Sequence, residues 1–209
     1  MKCPLCSAGE IAAYLSTRDT RHYWICAQCD LIWLEEAQRP SLAQEESRYR
    51  THKNYGADYL NYLGKTALPI AALLVPGANG VDYGCGPTQG MKDILSPMEF
   101  SLDSYDPIFF PKTELLKNHY EFLICSEAAE HFFYPGEEFA RMDSLVKRGG
   151  VIAISSKLAV RREDFETWPY RRDPTHVIFF QEKTVHWIAQ KFAWQILKLE
   201  SPLWLFTKK

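Results

Sequence analysis

Apolar residues recur along this chain with two different periods, and the points where the period changes mark its elements. Near the start they come in short alternating bursts, Ile11 to Thr17, His22 to Ile25 and Leu31 to Leu34, with Asp19-Thr20-Arg21 as a turn. The spacing predicts three short strands with too little core to fold unaided. A polar stretch from Glu35 to Glu46 contains Arg39-Pro40-Ser41 and places a boundary near residue 40. Helical periodicity follows over Ser41 to Tyr49 and over Ala57 to Leu74, the second interrupted near Pro69. Tyr55, Tyr59 and Tyr62 lie four and three residues apart, on one side of that helix. Most such stripes are core packing.

Beyond Pro76-Gly77 the pattern becomes strand, turn, helix, strand. Strands are expected at Val81 to Tyr83, Phe100 to Tyr105, Phe122 to Cys125, Gly150 to Ser155, Gln195 to Leu199 and Leu203 to Phe206. Helices are expected from Met91, from Glu137 to Val146 and from Gln181 to Lys191. This alternation predicts an α/β fold with a Rossmann-like, doubly wound, mostly parallel sheet and an antiparallel carboxyl-terminal edge. The organisation read from the pattern is a small module over 1–40 and an α/β domain over 41–209.

Cysteine spacing changes the picture of the first module. Cys3 and Cys6, then Cys26 and Cys29, form two C-x2-C pairs separated by nineteen residues. Two such turns complete a tetrahedral four-thiolate shell, which suits zinc in a ribbon. Ser7-Ala8-Gly9 and Asp30, which follow the pairs, tolerate a reversing backbone. Two disulfides or an iron site are the alternatives. A closed shell offers no position to a substrate, so structural Zn2+ is expected here and chemistry elsewhere. Cys85 and Cys125 lie in apolar runs and read as reduced, buried residues.

Composition adds mostly exclusions. A net charge of −2 and a pI near 6.3 give no basic signature, so net charge does not imply nucleic acid. Residues 157–209 carry ten Lys/Arg against six Asp/Glu, a surplus more often solvated than nucleic-acid-binding. The start has no apolar leader and no stretch reaches the roughly 18 apolar residues of a membrane span. A cytoplasmic location without membrane contact is expected.

Gly84-Cys85-Gly86 directly after a strand removes two Cβ atoms where backbone must approach a ligand. Asp106 ends the next strand 22 residues after Gly84, where a carboxylate holds a ribose diol. A dinucleotide fingerprint nearly exists in Gly84, Gly86 and Gly90, but its last spacing is one residue too long and Pro87 removes an amide. Asp82 before the turn would repel phosphates and suit a cation. The combination favours S-adenosylmethionine over a nicotinamide dinucleotide.

Val81-Asp82-Tyr83-Gly84-Cys85-Gly86-Pro87 resembles the first motif of class I S-adenosylmethionine-dependent methyltransferases, and Tyr105-Asp106-Pro107 their acidic second motif. Tyr120 to Phe132 resembles the strand and Glu-His signature that follow, and Val146 to Gly150 the Gly-Gly turn before the fifth strand. The likeness in order and spacing covers about residues 50–200, and a bacterial group that adds an amino-terminal zinc ribbon extends it to the whole chain. The resemblance implies that Asp82, Gly84 and Gly86 line the methionine end, with Tyr83, Cys85 and Pro87 shaping the turn. It further implies that Asp106, next to Pro107, takes the ribose hydroxyls, and that Ser126 and Glu127 stand beside the methyl donor. The chain departs from the family in one place: only 13 residues separate Asp106 from Tyr120, too few for the usual third strand and its helices. The adenine clamp is missing or replaced, with Ile108, Phe109 and Phe110 as replacements.

On the acceptor side, Ser156 to Phe180 reads as a loop of about 25 residues, too aromatic for a disordered linker. Trp168, Tyr170, Asp173 and His176 are candidates to surround an acceptor, and Asp173-Pro174-Thr175-His176 resembles a family segment bordering the substrate mouth. A plain turn with a structural histidine is the alternative. The resemblance also makes Tyr49, His52 and Asn54 lid residues, against surface residues that merely precede a helix. Methyl transfer needs alignment and desolvation first, and a base only where the acceptor loses a proton. His131 and His176 are the expected bases. The function implied is methylation of a small-molecule acceptor. The competing expectations are RNA methylation with the ribbon gripping nucleic acid, supported only by Arg18 and Arg21, and a non-catalytic scaffold.

Overall fold

The computed structural model describes residues 1–51 and 56–209. Strands β1 (Ile11–Ser16), β2 (His22–Cys26) and β3 (Ile32–Leu34) form an antiparallel meander. Helix α1 (Leu42–Arg50) starts at Ser41, whose hydroxyl and Gln44 make a reciprocal capping box. Helix α2 (Ala57–Ala71) carries Pro69 in its last turn and stops at Ala71 rather than Leu74. Then follow β4 (Asn79–Tyr83), α3 (Gly90–Leu95), β5 (Ser101–Tyr105), β6 (Tyr120–Ser126), α4 (Pro135–Leu145) and β7 (Val146–Ser155). Strand β7 runs straight out of α4 and carries Gly149 and Gly150 within it, where a turn is expected from sequence.

The expected long loop is structured. It holds α5 (Arg162–Phe165), a tight turn at Pro169–Arg172 and β8 (Ile178–Phe179). The chain closes with α6 (Glu182–Lys191), β9 (Trp194–Glu200) and β10 (Leu203–Lys208).

The main sheet has the order β5-β4-β6-β7-β10-β9. Neighbours from β5 to β7 are parallel, and β10 runs antiparallel to both β7 and β9. This is the α/β architecture the alternation predicts, and β5 is its edge, with no strand formed between Asp106 and Tyr120. Strand alternation splits the core in two. Phe122, Ile124, Val151, Ala153, Leu203 and Leu205 face α2 and α3. Their neighbours Leu123, Cys125, Ile152, Ile154, Trp204 and Phe206 belong to the opposite core, with Phe139 of α4 and Ile188 of α6.

That second core extends without a break into the first module, whose Cys3, Cys26, Leu31 and Trp33 belong to the same cluster. Strand β8 leaves the acceptor segment to pair antiparallel with β3, Ile32 opposite Phe179 and Trp33 opposite Ile178. Tyr14 and Tyr23 pack edge-on against Phe165 at 5.2 and 5.1 Å. The main-chain oxygen of Pro4 accepts from Gly136 N at the start of α4 (3.1 Å). Among the described residues no helix is long and apolar enough to cross a membrane.

Candidate active site and thiol centre

A cavity of about 650 Å³ opens at the carboxyl ends of β4, β5 and β6, within the size range of small-molecule sites. Its floor is backbone. Gly84 and Gly86 take φ of 80° and 66°, conformations that a side chain disfavours. A Cβ on Gly84 would stand 2.6 Å from the Ala128 Cβ. The Gly84 and Cys85 amides donate to the Tyr105 carbonyl at 2.9 and 3.1 Å, tying the bend to β5.

Asp106 faces this bend. Its Oδ2 accepts from the Gly86 amide at 3.0 Å, and its Oδ1 from the Ile108 and Phe109 amides at 2.8 and 2.9 Å. The carboxylate is thus fixed at the mouth of the glycine turn. Asp82 lies beneath the bend, buried rather than lining the cavity, and burial with the Asp106 charge pushes its carboxyl up to about 7. Ser126 and Glu127 line the cavity from the end of β6. Glu127 has a φ of 50°, backbone strain of the sort stored at functional sites, and accepts from the Ser155 hydroxyl at 3.1 Å. Burial and the neighbouring Glu130 charge raise its carboxyl to about 7.

Pro87, Tyr83, Cys85, Pro107 and Ile108 also line the cavity, whereas Phe109 does not. Phe109 stands under the Arg50 guanidinium (5.3 Å) and beside Tyr49 (6.5 Å), holding α1 over the site. Tyr59 and Tyr62 of the α2 stripe line the cavity, and Tyr59 also packs against the core as expected, while Tyr55 lies outside the described residues. At the far end Tyr83 donates to Glu138, and Arg141 donates to Glu138 (2.8 Å) and to the Tyr83 hydroxyl (3.1 Å). Nothing in the sequence around α4 singles out this cluster.

Tyr49, His131 and His176 line the same cavity. The His131 ring meets Tyr49 at 5.3 Å and His176 at 4.8 Å, both edge-on. His131 Nδ1 donates to the Thr175 carbonyl (2.9 Å) and His176 Nδ1 to the Tyr170 carbonyl (2.7 Å). Each bond fixes a tautomer in which Nε2 is the basic nitrogen. Burial lowers the His131 pKa.

Trp168, Tyr170 and Asp173 do not border the cavity. Trp168 packs on Phe165, Tyr170 and Phe179. Tyr170 stacks under His176 at 4.2 Å and donates to Glu130 Oε1 at 2.5 Å. Asp173 binds Arg48 of α1 at 2.7 and 3.2 Å and accepts from the Thr175 amide and hydroxyl. Burial alone would raise its carboxyl, but Arg48 and Thr175 hold it well below the usual range. These three therefore stand one layer behind the cavity wall. His52 and Asn54 lie outside the described residues. Glu130, fully buried and raised to about 7 by that burial, is the polar residue that sequence reading passes over, although it precedes His131 in the signature.

In the first module the four thiols converge. Cys3 Sγ lies 3.6 Å from Cys29 Sγ, Cys6 Sγ lies 3.4 Å from Cys26 Sγ, and all four sulfurs lie within 4.8 Å of one another, none in a disulfide. A tetrahedron with ~2.3 Å metal–sulfur bonds has edges of ~3.8 Å, so the set fits zinc. Ser7 and Asp30, after the two pairs, take φ of 61° and 57°, the reversal their sequence positions predict. A hydrogen bond from Cys29 lowers Cys3 to about 5, while burial raises Cys6 to about 12. As four thiolates they would need a cation to share this space, and zinc would supply it.

The family model for a methyltransferase domain matches residues 50–199. Among solved structures, the 1,6-didemethyltoxoflavin-N1-methyltransferase of Burkholderia thailandensis, solved with 1,6-didemethyltoxoflavin and S-adenosylhomocysteine, aligns at 12% identity and TM-score 0.57, over 90% of this chain and 99% of that one. The N-methyltransferase NodS of Bradyrhizobium japonicum, solved with S-adenosylhomocysteine, aligns at 11% identity and TM-score 0.51, over 79% and 97%. The cyclopropane synthase MmaA2 of Mycobacterium tuberculosis aligns at 11% identity and TM-score 0.52, over 72% and 66%. At these identities the likeness is one of fold. No curated protein sequence matches the chain.

Proposed function

The chain belongs to the methyltransferase-domain family, and from that premise we propose that it moves the methyl group of S-adenosylmethionine to a small-molecule acceptor bound beside His131 and His176. The observation that carries the reading is a single cavity holding the Gly84–Gly86 bend, the Asp106 carboxylate, Glu127 and both imidazoles. Bound S-adenosylmethionine supplies a methyl carbon already activated by its positive sulfur. The work left to this chain is binding, alignment and exclusion of water.

The bend lets backbone approach the methionine end, with the buried Asp82 carboxyl beneath it. Asp106 retains acceptor capacity toward ribose hydroxyls, and Glu127 offers negative charge beside the sulfonium. Ile108, Tyr83 and Tyr105 give the adenine apolar walls in place of a third strand. Tyr49 on α1 covers the acceptor end, with Trp168, Tyr170 and Asp173 as support behind it and His52 in the same lid. His131 and His176 face the acceptor's reacting heteroatom and activate it. Residues 1–40 are a ribbon in which Cys3, Cys6, Cys26 and Cys29 would hold a structural Zn2+, residues 41–209 the transferase body, and the working compartment the reducing cytoplasm.

Calorimetry with S-adenosylhomocysteine tests the donor half: micromolar binding is expected, weakened at least tenfold in Asp106→Ala, and no heat at millimolar ligand sinks the reading. Transfer of labelled methyl to a small-molecule metabolite fraction tests the acceptor half. His131→Ala and His176→Ala should each keep homocysteine-nucleoside affinity and lose turnover.

A further inference from the structure

Glu130, His131 and His176 converge on one point at the acceptor end. One ligand-capable atom from each of the three lies within 4.8 Å of the other two, and His176 Nε2 is 3.9 Å from Glu130 Oε1. Both imidazoles use Nδ1 on a backbone carbonyl, Thr175 for one and Tyr170 for the other. Metal-bound histidines are commonly oriented by such a bond from the non-ligating ring nitrogen. Glu130 is buried completely, its Oε1 is held by the Tyr170 hydroxyl, and its Oε2 has no hydrogen-bond partner among the described residues. A buried carboxylate oxygen left without a donor is costly, and either a proton or a cation shared with the two imidazoles offsets that cost.

We infer that Glu130, His131 and His176 bind a divalent first-row transition ion, and that the acceptor's oxygen or nitrogen takes one of its open positions. Two imidazoles and one carboxylate are the donor set that suits such ions, whereas calcium and magnesium favour all-oxygen shells. The site is separate from the four-thiolate centre and opens into the cavity through His131 and His176. This inference rests on the proposed methyl-transfer reading and refines it. The imidazoles then act on the acceptor through the ion, which orients and polarises it; the coordinated O–H or N–H gives its proton to solvent, its lone pair forms the bond to the methyl carbon, and the carbon–sulfur bond breaks to release S-adenosylhomocysteine. It also narrows the acceptor to a molecule with a metal-ligating heteroatom next to the methylated position.

The test uses the full chain with zinc in its thiolate centre, stripped of weaker metal with a mild chelator and titrated with Co2+. One further equivalent is expected, with the absorption of a nitrogen/oxygen site and no thiolate charge-transfer band. His131→Ala and His176→Ala should each weaken that equivalent by about tenfold or more, and Glu130→Gln likewise if it folds. S-adenosylhomocysteine calorimetry on the same samples reports folding and the donor half independently. No second equivalent up to millimolar cobalt, in protein that binds the nucleoside normally, overturns the inference. So does a second equivalent that both histidine variants leave unchanged, which would place that ion outside this cluster. Cobalt bound as expected in protein that binds no nucleoside would support the metal site and sink the methyl-donor reading.

Discussion

The two ends of the cavity are built by different means. At the donor end a glycine bend, a bridging carbonyl and an aspartate fixed by three amides occupy 84–109 and are tied by local backbone bonds. At the proposed acceptor end, side chains from α1, the end of β6 and residues 170–176 are brought together by long-range contacts, among them Arg48 to Asp173, the Thr175 carbonyl to His131 and the pairing of β8 with β3. The donor end should therefore tolerate changes elsewhere in the molecule, while the acceptor end should respond to anything that disturbs the first forty residues.

The largest way to break that comparison is at the thiol centre. Cys26→Ser removes one corner of the proposed metal shell, and strong chelation would remove the proposed ion itself. We expect the thermal midpoint to fall by about 10 °C or more in scanning calorimetry. A variant that stays folded with unchanged acceptor turnover would show that the two ends are not unequal in this way. Gly84→Ala comes next and should act in the opposite place. Its Cβ meets Ala128 at 2.6 Å from a positive φ, so nucleoside affinity should fall by roughly a hundredfold, about 3 kcal/mol. Co2+ uptake at the acceptor end should persist.

Arg48→Ala removes the tether of α1 to Asp173, a pair in which Arg48 is 38% exposed. A several-fold rise in acceptor KM is expected, with nucleoside Kd unchanged; an equal loss in both would place α1 over the donor as well. The remaining test concerns Asp82 and reads stability, not ligand affinity. Its carboxyl is raised to about 7 in the fold from ~3.9 in an unfolded chain. The folded state holds that proton more tightly, so the apo protein loses stability as pH rises from about 4 to about 7, and the loss is complete above. Asp82→Asn removes this loss. Its apo melting temperature should exceed wild type at pH 8 and converge with it near pH 4, and a variant less stable at pH 8 would refute the sign.

The mostly parallel sheet with its antiparallel edge, and the facing of the glycine bend by Asp106, were readable from residues because their code is local. Gly84, Gly86 and Asp106 lie within 23 residues of one another, and the short interval to Tyr120 already announced a missing strand. The β3–β8 pairing was not readable: two- and three-residue strands 144 positions apart carry no periodic signal. The Arg48–Asp173 pair spans 125 positions for the same reason. Trp168, Tyr170 and Asp173 have the chemistry of a binding wall, but composition does not say which layer a side chain occupies. Glu130 was passed over because a carboxylate is ordinarily exposed, and only the fold shows it enclosed by Tyr170 and His176.

Residues 178 and 179 are the outer strand of someone else's sheet, and this restricts how the enzyme can be altered. Transplanting 156–180 alone into a host without the meander would leave Ile178 and Phe179 with no partner strand and two apolar side chains in water. Residues 156–180 and the cysteine module therefore form one structural unit, to be exchanged together in any chimera.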